Sequence, residues 1–364
     1  MGFFILDHTK IINTYRKNNK SKLDKSIIIS YRESSLERRY NLKCVLDYLS
    51  HIQDGKTEII IVEQDDVSKI DWLSEIKGNQ FIKHIFVEND GIFNKGWGYN
   101  IGAKNATSDI FIFHDSDIFI KPQTYGIALN TLKSHDVVNP YKSVVFLDGE
   151  SSKVFKDHKY SFSVANKFKP VIHTIITGGI FFIKKSTYFM LKGFDEDCYG
   201  YGHEDDIFDE KIRKLNLKIS TLNDISIHMY HESSVDNNGL YYSFKEINKQ
   251  LFADYVELSK QDILNKIEHI KVWGDVEEYQ NNEVSSRHIK REIYKRTSEK
   301  IIEHVLSRFT DDYLDEIVNN ISTKIYNDIV EVMSKKVKDE LSNITYSDKE
   351  KDSMLRNIMK KFRI

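Results

Sequence analysis

Short β-branched runs alternate with helical patterns through the first half of the chain, and that alternation most constrains the fold. Residues 26–31 (SIIISY) and 58–63 (EIIIVE) read as buried strands. Between them, Ser34-x-x-Glu37 looks like a capping box. Leu42, Val45, Leu46 and Leu49 then recur at helical spacing, which predicts a helix over 36–50. Residues 84–87 read as a third strand, 100–106 as a short helix, and 110–113 as a fourth strand that runs into Asp115-Ser-Asp117. Strands and helices in this order predict an α/β, Rossmann-like fold: a mostly parallel sheet with helices on both faces. Such sheets bind ligands beyond the carboxyl ends of their strands, where Asp115 and Asp117 would lie. After Pro122 the pattern loosens, with one further strand at 180–183 and a helix at 186–192.

The chemistry-bearing residues gather in the second half. Gly178-Gly179 precedes an acidic cluster, Glu204-Asp205-Asp206, which opens a helical pattern carrying Ile207, Ile212 and Leu215. His228-x-x-His231 follows. Asp-x-Asp at a strand end offers hard oxygen ligands to Mg²⁺ or Mn²⁺, and added imidazoles move the preference toward Mn²⁺. A bound divalent ion neutralises a diphosphate leaving group as a Lewis acid. A carboxylate in the first turn of a helix is stabilised as an anion and suits a general base. Each feature has a plainer reading: loop acids, helix-start acids, a glycine turn, structural histidines, a solvated Arg32, a core Phe93, loop-packing tyrosines. Their joint order favours transfer of a sugar from a nucleotide donor. A non-catalytic glycan- or nucleotide-sugar-binding protein, or a nucleotidyltransferase on a similar fold, are the alternatives.

The stretch from Thr177 to His231 resembles the C-terminal catalytic region of the β-1,4-galactosyltransferase family. That family carries Gly-Gly, then Trp-Gly-Trp-Gly-Gly-Glu-Asp-Asp, then a histidine. This chain reads Gly178-Gly179, then Tyr199-Gly200-Tyr201-Gly202-His203-Glu204-Asp205-Asp206, then His231. The front half, through SIIISYRESSLERRYNL (26–42), EIIIVEQDD (58–66) and FNKGWGYNIGAKNATSDIFIFHDSD (93–117), is similar to bacterial capsule-type and chondroitin-polymerase-like glycosyltransferases with the GT-A fold.

The resemblance implies roles position by position. Asp117, His228 and His231 would hold the metal, Mn²⁺ with Mg²⁺ as a substitute. Asp205 would be the catalytic base. Glu204, Asp206 and Tyr201 would bind the acceptor. Tyr31, Arg32, Asp65, Phe93, Lys95, Asp115, Ile176, Gly178 and Gly179 would line the donor. Lys95 stands where the family usually has arginine, which keeps the charge and loses the bidentate fork. His203 replaces the second motif glycine. Ile176, two residues before the glycine pair, leaves room for an N-acetyl group, so UDP-GalNAc is the expected donor, with UDP-Gal or UDP-GlcNAc next. The expected partners are thus a UDP-sugar and a glycan acceptor.

Composition narrows the setting. A net charge of −2 gives no basic field for nucleic acid. Two cysteines make no disulfide framework and fit a reducing compartment. No apolar run is long enough to span a bilayer. The start of the chain reads as neither a signal peptide nor the membrane anchor of Golgi relatives, so a cytoplasmic enzyme is expected, with a peripheral place at the inner face of the membrane. The expected organisation is a lead over 1–25, a glycosyltransferase domain over 26–272 (nucleotide half 26–120, acceptor half 121–272) and a helical extension over 273–364. That extension has no Pro or Gly over 283–343 and carries an apolar stripe from Leu314 to Leu341, which suits a core or a homo-oligomer contact. Its last ten residues, LRNIMKKFRI, hold four basic and no acidic side chains; they suit a solvated tail or a weak membrane-surface anchor.

Overall fold

Two short strands, β1 (Thr9–Lys10) and β2 (Thr14–Tyr15), edge a sheet whose centre is made of the isoleucine-rich runs. The structure, a computed structural model, describes residues 9–10, 14–15, 23–76, 81–89, 91–172, 179–200, 202–232 and 239–276. Every residue of β3 (Lys25–Tyr31) is buried. A strand can be buried along its whole length only when helices cover both faces, and the two faces are distinguishable here. On one side, Ile27 and Ile29 share a core with Leu42, Val45, Leu46 and Leu49 of helix α1 (Leu36–Ile52). Ser35, one residue later than expected, caps that helix by accepting from the Arg38 N–H at 3.3 Å. The next strands, β4 (Thr57–Asp65) and β5 (Phe81–Glu88), extend the sheet; β4 is buried throughout.

Helix α2 (Lys95–Asn105) covers the opposite face. A Cβ on Gly98 would lie 2.1 Å from Ser30 Oγ, and one on Gly102 would lie 2.3 Å from Ile28 Cγ2. The helix therefore sits closer to the sheet than any larger residue allows. It also begins five residues before the expected start at Asn100. Glycines disfavour helix in isolation, but packing overrides propensity here, and Asn94 caps the end by accepting from the Trp97 N–H at 2.9 Å.

Strand β6 (Ile110–His114) pairs parallel with the far edge of β3. The parallel order is thus β5-β4-β3-β6, and chain direction across the sheet reverses between β3 and β6. A crevice opens at the carboxyl ends of strands at such a reversal, here between Arg32 and the turn Asp115–Asp117. The remaining elements are β7 (Ile118–Ile120), α3 (Pro122–Leu132), β8 (Val137–Asn139), β9 (Ser143–Phe146), α4 (Gly149–Asp157), β10 (Val171–Ile172), β11 (Ile180–Lys184), α5 (Lys185–Met190), α6 (Glu204–Lys214), β12 (Ile219–Thr221), β13 (Ile225–His228), α7 (Gly239–Glu257) and α8 (Lys260–His269). Strand β11 lies antiparallel between β6 and β8, and β12 runs parallel to β8. A second sheet has the order β10-β9-β13-β7. Pro122, which closed the legible pattern, begins α3, a position that needs no N–H donor.

These elements belong to one compact unit, residues 1–232 with 244–280, apart from the opening residues of α7. Among the described residues, no helix is long and apolar enough to cross a membrane. The helical extension expected over 273–364, with its oligomer and membrane contacts, lies outside the described residues beyond Val276.

Candidate active site

The metal corner is built by strand pairing. β13 runs antiparallel to β7 with His228 opposite Ile118, and the Met229 N–H continues the ladder to the Asp117 carbonyl at 2.8 Å. This brings His228 Nε2 to 3.5 Å and His231 Nε2 to 3.3 Å from the Asp117 carboxylate. Nδ1 of His228 lies 2.8 Å from the Met229 carbonyl, and Nδ1 of His231 lies 2.9 Å from the Glu232 carbonyl. A carbonyl only accepts, so Nδ1 carries hydrogen in both rings and Nε2 is left to face Asp117. The three ligand atoms lie within 4.8 Å of one another. One carboxylate with two imidazoles fits a divalent transition ion. Burial alone would raise the Asp117 carboxyl, but the charge of His228, the hydrogen bond from His231 and the Arg38 guanidinium outweigh it and hold the group well below its ordinary value. Burial works against charge on His231, yet its bond to Asp117 raises its proton affinity. Protons and a metal ion would compete for this corner.

Three residues that the sequence reading missed hold the corner in place. Arg38 Nη1 stands 3.5 Å from Asp117. Asn41, one turn further along α1, donates from Nδ2 to the Tyr230 carbonyl at 3.0 Å, between the two histidines. Ser152 of α4 accepts from the Tyr230 N–H at 2.9 Å. No local signal marks them, because each acts across a long sequence separation.

Lys95 joins Asp115 of the Asp-x-Asp turn to the acidic motif. Its Nζ lies 2.9 Å from Asp115 and 3.6 Å from Glu204. Tyr99 donates to Asp115 at 2.6 Å, and the Asp115 N–H donates to the Gly179 carbonyl at 2.7 Å. Burial disfavours the Lys95 charge, but Asp115, Glu204 and Asp205 together raise its ammonium above the ordinary lysine value. Burial raises the Asp115 carboxyl and Asp117 adds to the rise, while Lys95 pulls it down. Glu204 is pushed up to about 7, first by burial and then by the charge of Asp205. Asp205 sits in the first turn of α6, where its Oδ1 accepts the Asp206 N–H at 3.0 Å. Asp206 accepts from His203 at 2.8 Å, and burial raises its proton affinity.

Two of the expected donor residues also have partners within the fold. Arg32 donates to the carbonyls of Gln64 at 2.7 Å, Gly91 at 2.5 Å and Asn89 at 2.7 Å. One N–H of each guanidinium nitrogen is thus engaged, so Arg32 staples strand ends together, with one further N–H on each terminal nitrogen. Tyr31 is 1 % exposed and packs in the core with α1, so its side chain is not available to a donor. Phe93 is half-buried, with the Arg32 guanidinium 5.7 Å from its ring, and its carbonyl accepts from Gly200 at 2.9 Å. Asp65 is buried, takes Lys69 at 2.7 Å, and has its carboxyl raised by burial. Gly179 has no room for a side chain, since a Cβ would lie 2.3 Å from the Tyr141 hydroxyl. Ile176, Gly178 and Tyr201 lie outside the described residues.

A parallel nucleotide-type sheet half, an Asp-x-Asp turn at its reversal point and a carboxylate-bearing helix start across from it define an α/β transferase fold of the GT-A type. The family described as glycosyltransferase like family 2 matches residues 26–295, and the chain belongs to it. Among solved structures, the catalytic domain of Drosophila β1,4-galactosyltransferase 7, in complex with xylobiose, is similar at 15% identity and a TM-score of 0.36, over 57% of this chain and 71% of that one. S. aureus TarS 1-349, in complex with UDP, is similar at 17% identity and a TM-score of 0.44, over 72% and 77%. No curated protein matches the chain.

Proposed function

We propose that this glycosyltransferase moves a sugar from a UDP-sugar to a glycan hydroxyl with inversion, with Mn²⁺ bound and Mg²⁺ as a substitute. The observation that carries the reading is the convergence of Asp117, His228 and His231, with Lys95 bridging the neighbouring Asp115 to Glu204 of α6. The three ligands would hold the ion, which when bound supplies positive charge to a diphosphate. Asp205, in the first turn of α6, takes the proton from the acceptor hydroxyl as that oxygen attacks the anomeric carbon, the bond from that carbon to the diphosphate breaks, and UDP departs. Lys95 fixes Asp115 and Glu204 around the reacting centre, and Asp206 receives acceptor hydroxyls. The expected sugar is GalNAc, with Gal or GlcNAc next, and the product a surface polysaccharide or glycoconjugate. Two buried free cysteines suit a cytoplasmic setting.

Turnover of a panel of nucleotide sugars with and without Mn²⁺ tests this reading. Metal-dependent transfer from UDP-GalNAc is expected, with Ile176→Tyr shifting preference toward UDP-Gal. Full activity after exhaustive chelation would remove the metal assignment.

A further inference from the structure

Among the described residues of the acidic motif, His203 is the non-glycine residue with a positive φ. It precedes α6 with φ at 69° and ψ at −1°, in the left-handed region. A residue with a β-carbon spends roughly 1 kcal/mol there that glycine does not. The resembled family has glycine at this position, and here an imidazole stands in its place. Non-glycine residues in this region cluster where function demands them.

The ring is held from two sides. Nδ1 lies 2.8 Å from Asp206 Oδ2. One face stacks on Phe252 of α7, with centroids 5.2 Å apart and planes 8° from parallel. The same face of α7 carries Asn248 and Phe244, four and eight residues earlier. Asn248 donates to the Tyr199 carbonyl at 2.7 Å, and the Phe244 ring lies 5.9 Å from the Tyr199 ring. A single helical stripe thus fixes both ends of the loop that leads into the three carboxylates. The His203 and Asp206 side chains remain 24% and 25% exposed, next to Asp205. Asp206 gives one oxygen to His203; among the described residues, no hydrogen bond engages Nε2 of the ring or the second Asp206 oxygen, and both can meet a solute.

We propose that His203 is a specificity-determining residue for the acceptor. With Asp206 it forms a paired hydrogen-bonding edge that reads adjacent hydroxyls of the acceptor sugar, and Phe252 sets the orientation of that edge. The inference rests on the glycosyltransferase reading above. Asp205 performs the proton transfer; His203 decides which sugar is presented to it.

The test compares wild type, His203→Gly and Phe252→Leu, with p-nitrophenyl glycosides of several hexoses, N-acetylhexosamines and uronic acids as acceptors. Glycine takes the left-handed backbone freely, so the His203→Gly variant folds. Loss of one hydrogen-bonding edge should raise its KM for the best glycoside by about tenfold. Its ranking of glycosides should flatten, and its KM for the donor should stay within about twofold, a split that a merely structural role would not produce. Phe252→Leu should fall between the two. Acceptor KM and ranking unchanged in His203→Gly would overturn the inference while leaving the glycosyltransferase reading intact. Absence of both donor hydrolysis and transfer in wild type would overturn the reading and the inference together.

Discussion

The metal corner and the acceptor motif are built in opposite ways. Asp117 is 3% exposed, its partners arrive by backbone pairing of β7 with β13, and each histidine is fixed by its own main chain. The acceptor motif is a contiguous loop and helix start held from outside by side chains of α7. Ion ligation requires one geometry whatever the substrate, and strand register supplies that rigidity. Recognition of a particular sugar varies between enzymes. On the proposed reading it would rest on side chains of α7 and the adjoining loop, which lie outside the sheet.

Four measurements sharpen or break this contrast. The largest effect is expected at the base: Asp205→Asn should lower turnover by ~10²–10⁴-fold with donor affinity retained. Near-wild-type turnover in that variant, with loss in Glu204→Gln, would move the base by one residue. Next, His231→Ala should weaken Mn²⁺ binding by roughly a hundredfold, followed by calorimetry on the purified protein. Unchanged affinity would dissolve the metal corner. Asn41→Ala touches only the support beneath Tyr230, so about a tenfold loss of Mn²⁺ affinity with acceptor KM intact is expected. A loss of acceptor affinity instead would show that the two regions are not separate.

The smallest effect concerns stability. Burial, assisted by Asp205, lifts Glu204 from its ordinary 4.5 to about 7 in the folded protein. A carboxyl raised in the fold contributes stability that is fully present below 4.5 and lost as pH rises through about 7. Glu204→Gln should therefore stabilise the protein by ~1–2 kcal/mol at pH 8 and by less at pH 5, read from denaturant unfolding. Equal gains at both pH values would mean that Glu204 is ionised throughout.

The parallel core was legible because doubly buried strands demand unbroken β-branched runs, as in residues 27–29 and 59–61. The start of α2 was not, since its glycines are chosen for contact with Ser30 and Ile28, which only the folded chain shows. Short strands such as β7 and β8 carry too few residues for a periodic signal. In the site, Asp117, His228 and His231 were named in advance from the family resemblance, and they converge. Asn41, whose partner Tyr230 lies 189 positions away, was not. For Arg32 and Tyr31, residue type suggested a ligand contact but not the structural partners they also have, three carbonyls and a hydrophobic core.

Lys95 carries one positive charge and divides it between carboxylates on opposite sides of the centre. An anionic donor on the Asp115 side would compete with Glu204 for that charge. Because burial already lifts the Glu204 carboxyl to about 7, any weakening of its contact with Lys95 would favour the protonated form further. Donor binding near neutral pH would then be accompanied by uptake of a proton on the acceptor side.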